Sequence, residues 1–178
     1  MSLHYVPYTL DPSEKLIKMI EGIDFIDYPM IDVACGYGRN GLVLLEKGQR
    51  CVFCDINREY LRFINESEMF ESFRNNKQIK TYPLDVSAKW PFPSNSAGGI
   101  LLIHYYDERV FYKIKKTVAK GGFVYIETID NRNDNYLELP YKGLTQKVFF
   151  EDFDILYFKE GKERNNRCKV TLFARKVR

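Results

Sequence analysis

A glycine-rich turn is the part of this sequence best suited to holding a ligand. Glycines 36, 38 and 41 follow the pattern G-x-G-x-x-G, between an apolar run that ends at Ala34 and a helix predicted over 39–47. Glycine lets the backbone approach a ligand closely, and the N–H groups at the start of a helix can bind an anionic group. Such turns also serve only to pack a helix against a strand, so the motif alone fits either role equally well.

Asp55 favours the binding role. It ends the next apolar run, Cys51–Cys54, at the distance where nucleotide-binding folds place the acid that binds a ribose. A carboxylate can accept both ribose hydroxyls in a two-pronged hydrogen bond. The alternative is structural, with Asp55 capping a helix that begins near Asn57.

Two further aspartates refine this interpretation. In the dinucleotide-binding fingerprint the strand before the first glycine is apolar, whereas here Asp32 lies four residues before Gly36. An acid buried at a strand end without a partner is costly, so Asp32 should have one. Asp85 follows a third predicted strand and is either a ligand contact or a loop acid that forms a turn with its own backbone.

His104 is the side chain best placed to move a proton. It follows Ile100–Ile103, a continuous apolar run typical of a central parallel strand, whose carboxyl end borders the ligand site in open α/β sheets. This position makes His104 a candidate general base. The alternative is a histidine that orients a loop or lines the pocket without proton transfer.

Strands and helices alternate along most of the chain. Helices are predicted over 15–23, 39–47, 57–64 (continuing towards 73 after a break near 65), 107–118 and 144–150, and parallel strands over 28–34, 50–55, 78–84, 100–103 and 123–129, with a loop over 130–135. The last two strands, 154–160 and 168–176, bracket a polar turn and predict a hairpin. The expected fold is therefore α/β, a Rossmann-like three-layer sandwich with a mostly parallel seven-stranded sheet closed by a C-terminal antiparallel hairpin.

Length and composition indicate one domain. A chain of 178 residues with 45% hydrophobic residues can bury one core, so we expect a single domain over 1–178, with residues 1–27 covering the ligand side. The net charge of +3, from interspersed acids and bases, does not favour a nucleic-acid or membrane partner. The sequence has no recognisable signal peptide and no long apolar run, so a cytoplasmic location is expected. The expected oligomeric state is a monomer or a homodimer.

The four cysteines are expected to be free thiols. Cys51 and Cys54 form a C-x-x-C pattern, but residues three apart on a strand point to opposite faces. A disulfide or zinc site would need the two sulfurs together. With two histidines and no Cys/His cluster, no metal site is expected.

In combination, these motifs resemble those of class I S-adenosylmethionine-dependent methyltransferases, over nearly the whole chain. Residues 31–41 resemble the family's first motif, and their Ala-Cys-Gly-x-Gly-Arg-Asn form is similar to the small tellurite-resistance-type branch, although most relatives have glycine where this chain has Ala34. Leu84–Val86 is similar to the adenine-contacting segment. Residues 119–128 are similar to the fifth-strand motif, with Ala-Lys-Gly-Gly in place of the more usual proline-glycine-glycine turn.

The resemblance implies S-adenosylmethionine as methyl donor and S-adenosylhomocysteine as product. It implies that Asp32 helps neutralise the donor's ammonium, that Asp55 binds the ribose and that Asp85 accepts from the adenine amine. The full set of implied donor-binding residues is Asp32, Ala34, Cys35, Gly36, Tyr37, Gly38, Arg39, Asn40, Asp55, Ile56, Asp85, Val86 and Ile103.

The expected reaction is an in-line displacement on the methyl group, in which a general base, His104, is needed only if the acceptor holds its proton tightly. A compact chain without an added recognition domain favours a small-molecule acceptor such as a thiol, a metalloid oxyanion, or a metabolite hydroxyl or carboxylate. Residues 103–106 do not match the motif of methyltransferases that act on the amino groups of DNA bases. The weaker candidates for the acceptor side are Tyr5, Tyr8, Glu127 and Thr128.

Two alternatives remain open. One is RNA or protein methylation, which would require a basic surface. The residues that would form it are Lys113, Lys115, Lys116, Arg164 and Arg167. The other is a non-catalytic module that binds S-adenosylmethionine and has lost methyl transfer.

Overall fold

Strands and helices alternate in the order that the sequence predicts. The structure is a computed structural model, and it describes residues 10–130, 148–162 and 168–178. The helices are α1 (Glu14–Ile20), α2 (Arg39–Glu46), α3 (Arg58–Glu66), α4 (Glu71–Asn75) and α5 (Glu108–Thr117), with a 3-10 turn at Glu68–Phe70. The strands are β1 (Met30–Val33), β2 (Cys51–Asp55), β3 (Ile79–Pro83), β4 (Ala97–Ile103), β5 (Val118–Asp130), β6 (Phe153–Lys162) and β7 (Cys168–Lys176).

The strands form one sheet in the order β3-β2-β1-β4-β5-β7-β6. The first five in this order are parallel, β7 runs antiparallel to β5, and β6 runs antiparallel to β7. The predicted fold class is therefore confirmed, including the closing hairpin. The chain reverses its direction of travel across the sheet beside β1, which pairs with β2 on one side and β4 on the other.

Each face of the sheet carries its own apolar core. Alternate residues of β1 and β4, such as Met30 and Leu101, pack with α1, α2 and α3 on one face. The intervening residues, such as Ile31 and Ile100, pack with α5 and Phe149 on the other. Every residue of β1 and β4 is buried, and β4 reads as a continuous apolar run because both of its faces are covered.

The largest departure from the predicted boundaries is at β5. The sequence predicts a turn near residues 120–122 before the strand, but the strand already begins at Val118, directly after α5. Val118 pairs with Ala97 and Phe123 pairs with Gly99, so β5 has extra residues at this point of the sheet. Gly121 there has φ +83°, so the backbone does turn near residues 120–122, but it does so within the strand. The predicted turn at 161–167, the loop at 130–135 and the helix at 144–150 lie largely outside the described residues.

Cys51 and Cys54 lie on opposite faces of the sheet, as the strand alternation predicts: Cys51 belongs to the core beneath α2, and Cys54 to the core beneath α5. Both are free thiols, and burial raises the pKa of each well above that of an exposed thiol. Among the described residues, no three His, Cys, Asp or Glu side chains gather to hold a metal ion. None of the helices in the described ranges has the length and apolarity needed to cross a membrane.

Candidate functional site

Two cavities meet at the carboxyl ends of β1 and β4. The first has a volume of about 220 Å³ and the second a volume of about 600 Å³. Arg39 and His104 line both, so these two side chains form the boundary between them. In open α/β sheets the crevice beside this switch in strand order is the usual ligand site.

Most of the residues implied as donor contacts lie together around the first cavity. Its lining comprises Asp32, Ala34, Cys35, Gly36, Tyr37, Arg39, Asn40, Tyr60, Ile103 and His104. Of the residues expected from sequence, the lining leaves out Gly38, Asp55, Ile56, Asp85 and Val86. The cavity is smaller than the 300–1,000 Å³ or so typical of ligand pockets, so a nucleoside bound there would extend past its rim.

The glycine turn presents its backbone to the first cavity. Gly36 has φ +55°, and a Cβ built on it would meet no atom within 4 Å, so the residue faces open space. Ala34 has φ +53°, a left-handed conformation that costs a residue with a Cβ about 1–2 kcal/mol. The left-handed backbone explains why glycine suits this position in the family that the chain resembles.

Asp32 is a buried acid held by the start of α2. Its side chain is almost fully buried, and its Oδ2 accepts the N–H of Gly41 at 2.9 Å. A Cβ on Gly41 would lie 2.9 Å from that oxygen and 2.3 Å from the ring of Phe53, so this approach requires glycine. Burial raises the pKa of Asp32 to about 8, with Asp55 contributing, against the lowering effects of the Gly41 hydrogen bond and Arg39.

Asp55 joins the glycine turn to the loop after β2. Its two carboxylate oxygens accept the N–H groups of Gly36 at 2.9 Å and Asn57 at 2.8 Å. Asn57 caps α3, because its own side-chain oxygen accepts the N–H of Glu59. The alternative role of Asp55 as the cap of this helix is therefore wrong, because the capping residue is Asn57. Each carboxylate oxygen of Asp55 keeps a lone pair for another donor.

An apolar and aromatic edge adjoins this turn. Ile56, beside Asp55, is 70% exposed although it is a large aliphatic residue. Tyr37 packs on Tyr60 with ring centroids 4.5 Å apart. Tyr60 was not expected from the sequence, since a single tyrosine in a helix carries no signal that distinguishes it from an ordinary surface residue.

Asp85 forms a turn with its own backbone, which is the structural role that the sequence leaves open beside ligand contact. Its Oδ1 accepts from the Ser87 N–H at 2.9 Å and the Ser87 hydroxyl at 2.6 Å, and these bonds lower the pKa of the Asp85 carboxyl. Lys113, from α5, donates to the carbonyl oxygens of Val86 and Ser87 at 3.0 and 3.1 Å. This loop is therefore fixed by α5 rather than by the glycine turn.

His104 lies at the junction of the two cavities in a left-handed conformation with φ +60°. Its N–H donates to the carbonyl oxygen of Glu127 at 2.8 Å, which ties the end of β4 to β5. Burial, aided by Arg39 and Lys169 and opposed by Glu127, lowers the pKa of the His104 imidazole. The imidazole is therefore neutral at pH 7 and can accept a proton.

Glu127 is the buried centre of a polar network in the second cavity. Its Oε1 accepts from Lys169 at 2.7 Å, and its Oε2 accepts from the hydroxyls of Ser13, at 2.6 Å, and Tyr125. Burial raises the pKa of Glu127, but these three hydrogen bonds outweigh it and bring the pKa to about 2. Ser13 also donates its N–H to Asn40 Oδ1 at 2.9 Å, so the start of α1 contacts both cavities.

The other residues considered for the acceptor side are less informative. Thr128 alternates with Glu127 on β5, so its buried side chain lies on the opposite face of the sheet. Tyr5 and Tyr8 lie outside the described residues. In the basic set considered for RNA or protein substrates, Lys115 pairs with Asp152 at 2.9 Å, and the two arginines lie outside the described residues.

Comparison with known proteins identifies the fold. No sequence-family model and no curated protein matches the chain. Among solved structures, the MccD protein has a TM-score of 0.69 at 14% identity, over 94% of this chain and 100% of that one. A geranyl diphosphate C-methyltransferase from Streptomyces coelicolor A3(2), in complex with Mg2+, geranyl diphosphate and S-adenosyl-L-homocysteine, has a TM-score of 0.69 at 10% identity, over 93% and 79%.

The chain therefore has the α/β fold of S-adenosylmethionine-dependent methyltransferases. The [4+2]-cyclase SpnF also matches, with a TM-score of 0.66 at 11% identity over 92% of this chain and 80% of that one. A protein named for a different reaction thus shares the architecture. At these identities the similarity establishes the fold, and the activity has to be argued from the site.

Proposed function

We propose that this protein transfers the methyl group of S-adenosylmethionine to a small-molecule acceptor. The meeting of two cavities at Arg39 and His104 supports this most directly. One cavity is bordered by a glycine turn and a helix N-terminus, as a nucleotide-like donor requires. The other opens on the far side of His104 and offers a separate space for an acceptor.

The residues of the first cavity fit the donor's polar groups. Open space in front of Gly36 admits the donor's carboxylate to the start of α2, and buried Asp32 suits the donor's ammonium. The remaining lone pairs of Asp55 suit the ribose hydroxyls, and exposed Ile56 offers an apolar surface to the adenine. Asp85 Oδ2 has no hydrogen-bond partner among the described residues and suits the adenine amine.

When bound, S-adenosylmethionine supplies a methyl group already activated on a sulfonium, so the protein mainly orients the reactants and excludes water. His104, neutral at pH 7, holds an acceptor or takes its proton. Ser13 holds α1 against Asn40 and Glu127 and so closes one side of the second cavity.

Donor binding is tested by thermal unfolding with S-adenosylmethionine, S-adenosylhomocysteine and nicotinamide dinucleotides in parallel. At about 100 times the dissociation constant, a specific ligand adds roughly 2.7 kcal/mol and raises the melting temperature by about 5–10 °C for a domain of this size. We expect this increase with the two sulfur compounds. An increase with a nicotinamide dinucleotide alone would contradict the proposal.

Asp55→Asn tests the site. We expect the variant to lose most of the donor-induced increase, because an amide cannot accept from two backbone N–H groups and two hydroxyls at once. Its ligand-free stability should also fall by about 1–3 kcal/mol, because one backbone N–H loses its acceptor. Asp27→Asn is the matched control, since Asp27 is a fully exposed surface acid paired with Arg50. A full donor response in Asp55→Asn would mean that the ribose assignment is wrong.

Turnover separates an enzyme from a binding module. Formation of S-adenosylhomocysteine should depend on an added small acceptor. Bound donor without turnover on any thiol, oxyanion, hydroxyl or carboxylate acceptor would favour the non-catalytic alternative.

A further inference from the structure

The second cavity contains a half-buried cation that no carboxylate of the described residues neutralises. Lys15, in the first turn of α1, lines this cavity. Its Nζ donates to Thr171 Oγ1 at 3.4 Å and lies 5.6 Å from the centre of the Tyr157 ring. Both partners are neutral, and no described carboxylate lies within ion-pair distance of Lys15.

The acids around this cavity do not compensate Lys15. Glu127 is already bound by Lys169, Ser13 and Tyr125. The other two acids that line the cavity, Asp11 and Glu14, are exposed, so solvent screens their charges.

The positive charge extends to the junction with the first cavity. Arg39, from α2, adds a second cation that is only partly exposed. Lys18 also lines the cavity, but it is exposed, so solvent screens its charge as it screens those of the two exposed acids. At His104, the charges of Arg39 and Lys169 both favour the neutral imidazole, against the opposing charge of Glu127. A cavity of this kind favours an anionic ligand, because a charge-assisted hydrogen bond strengthens as water is excluded.

We infer that the methyl acceptor carries an oxyanionic group, either a carboxylate or a phosphate, and that Lys15 binds this group in the cavity beside His104. The inference rests on the proposed function, since the second cavity is an acceptor site only if the first holds the donor. It narrows the acceptor from small molecules in general to small acids.

His104 reports on such an anion. The chain has only two histidines, at 4 and 104, so the imidazole NMR spectrum contains two titrating signals that His4→Gln assigns. The titration is carried out with S-adenosylhomocysteine present, using benzoate, phenyl phosphate and neutral benzamide as probes. A bound anion stabilises the imidazolium, so benzoate or phenyl phosphate should raise the pKa of His104 by roughly 0.5–1. The two anions distinguish a carboxylate site from a phosphate site.

Lys15→Met keeps the aliphatic chain and removes the charge. It should lose most of the anion-dependent rise and weaken anion binding by about tenfold, since a hydrogen bond to a charged group contributes roughly 1.5 kcal/mol. Lys47→Met, at an exposed lysine outside both cavities, should respond like the native protein. Lys15→Gln provides the same comparison if Lys15→Met does not fold.

Three outcomes would overturn the inference: no response to either anion, an equal response to benzamide, or an undiminished response in the Lys15 variants. Failure of the proposed function is distinguishable, because the melting temperature would then not rise with S-adenosylhomocysteine. A normal rise without an anion effect would contradict the oxyanion inference alone.

Discussion

At the scale of single residues, Asp32 shows how burial prepares a group for a charged partner. Its pKa of about 8 means that the ligand-free carboxyl carries a proton at pH 7. An ammonium beside it would favour the carboxylate, and the proton would leave as the ligand binds. Under the proposed function, donor binding at neutral pH is therefore accompanied by proton release from Asp32.

Asp32→Asn tests this protonation. Between about pH 5 and pH 8 the folded protein holds a proton on Asp32 that the unfolded chain, with an ordinary pKa near 3.8, has lost. The stabilisation that this proton gives the folded protein is fully present below the unfolded pKa and is lost as pH rises through 8. Over that range the free energy of unfolding falls by up to about 1.4 kcal/mol per pH unit. The asparagine variant should lack this slope while its amide oxygen still accepts from Gly41.

The measurement is urea unfolding of both proteins at several pH values, and the relevant quantity is the difference between their free energies of unfolding. His104 contributes with the opposite sign, because its pKa is lowered, but this contribution is common to both proteins and cancels. A difference that does not change between pH 5 and 8 would show that Asp32 is ionised in the folded protein. Donor affinity should fall in Asp32→Asn, since an amide cannot balance an ammonium.

The sequence indicates some site residues and not others for physical reasons. Asp32 lies within β1 and Asp55 is the last residue of β2, so chain spacing relative to the glycine turn determines where both residues lie. Ser13 and Tyr60 reach the site from helices, through contacts that depend on how those helices pack. At Asp85 the chain spacing fits the adenine-contacting motif, but spacing does not reveal that Oδ1 accepts hydrogen bonds from Ser87 in a local turn.

At the scale of elements, α1 depends on polar contacts at its first turn. The Ser13 hydroxyl accepts from the Leu16 N–H at 3.2 Å and donates to Glu127, while Leu16 and Ile20 provide the buried apolar face. A helix of seven residues is too short to be stable alone, so these contacts decide how firmly it covers the second cavity.

Ser13→Ala should loosen α1 while leaving the sheet intact. Loss of a helix cap costs about 1 kcal/mol, which corresponds to roughly fivefold faster hydrogen exchange of the α1 amides if they exchange by local opening. Ser67→Ala is the matched control, because the buried Ser67 hydroxyl has no hydrogen-bond partner among the described residues. Equal exchange rates in the native protein and Ser13→Ala would mean that α1 is held by its apolar face alone.

The observed boundaries of a strand match those predicted from sequence where an apolar run is buried throughout. They differ where pairing with a neighbouring strand determines the end of the strand. The run at β4 predicts a central strand, and all seven of its residues are buried. The start of β5 is not predictable in the same way, because the glycines at 121 and 122 indicate a turn and only pairing with Ala97 extends the strand to Val118. Local propensity is a weak guide where tertiary contacts compete with it.

At the scale of the whole molecule, strand alternation gathers the site on one face of the sheet. Asp32, Asp55 and Glu127 each share a face with the apolar residues two positions earlier, which belong to the core under α1, α2 and α3. The parallel register brings their carboxyl ends level, with Ile103 opposite Glu127. Alternation and register together place three acids around one crevice, although they are up to 95 residues apart in the chain.

Lys176 adds a side-chain attachment between the closing hairpin and the rest of the fold, beyond the pairing of β7 with β5. From the last residue of β7, its Nζ donates to Asn95 Oδ1, the Lys115 carbonyl and the Val118 carbonyl at 3.0, 3.1 and 2.7 Å. These carbonyls lie at the end of α5 and the start of β5. One ammonium thus joins the hairpin, the helix and the central sheet, and burial lowers its pKa.

Lys176→Met should lower the free energy of unfolding by about 2–4 kcal/mol, because it leaves two carbonyl groups without this charged donor. Lys116→Met is the control, since Lys116 is exposed on the same helix and its loss should change stability by less than about 0.5 kcal/mol. Urea unfolding followed by both tryptophan fluorescence and far-ultraviolet circular dichroism measures the effect. Trp90 donates to Thr117 beside this junction, so its fluorescence reports on the contact that Lys176 stabilises. Equal stability of the two variants would mean that strand pairing and apolar contacts between β5 and β7 suffice to hold the hairpin.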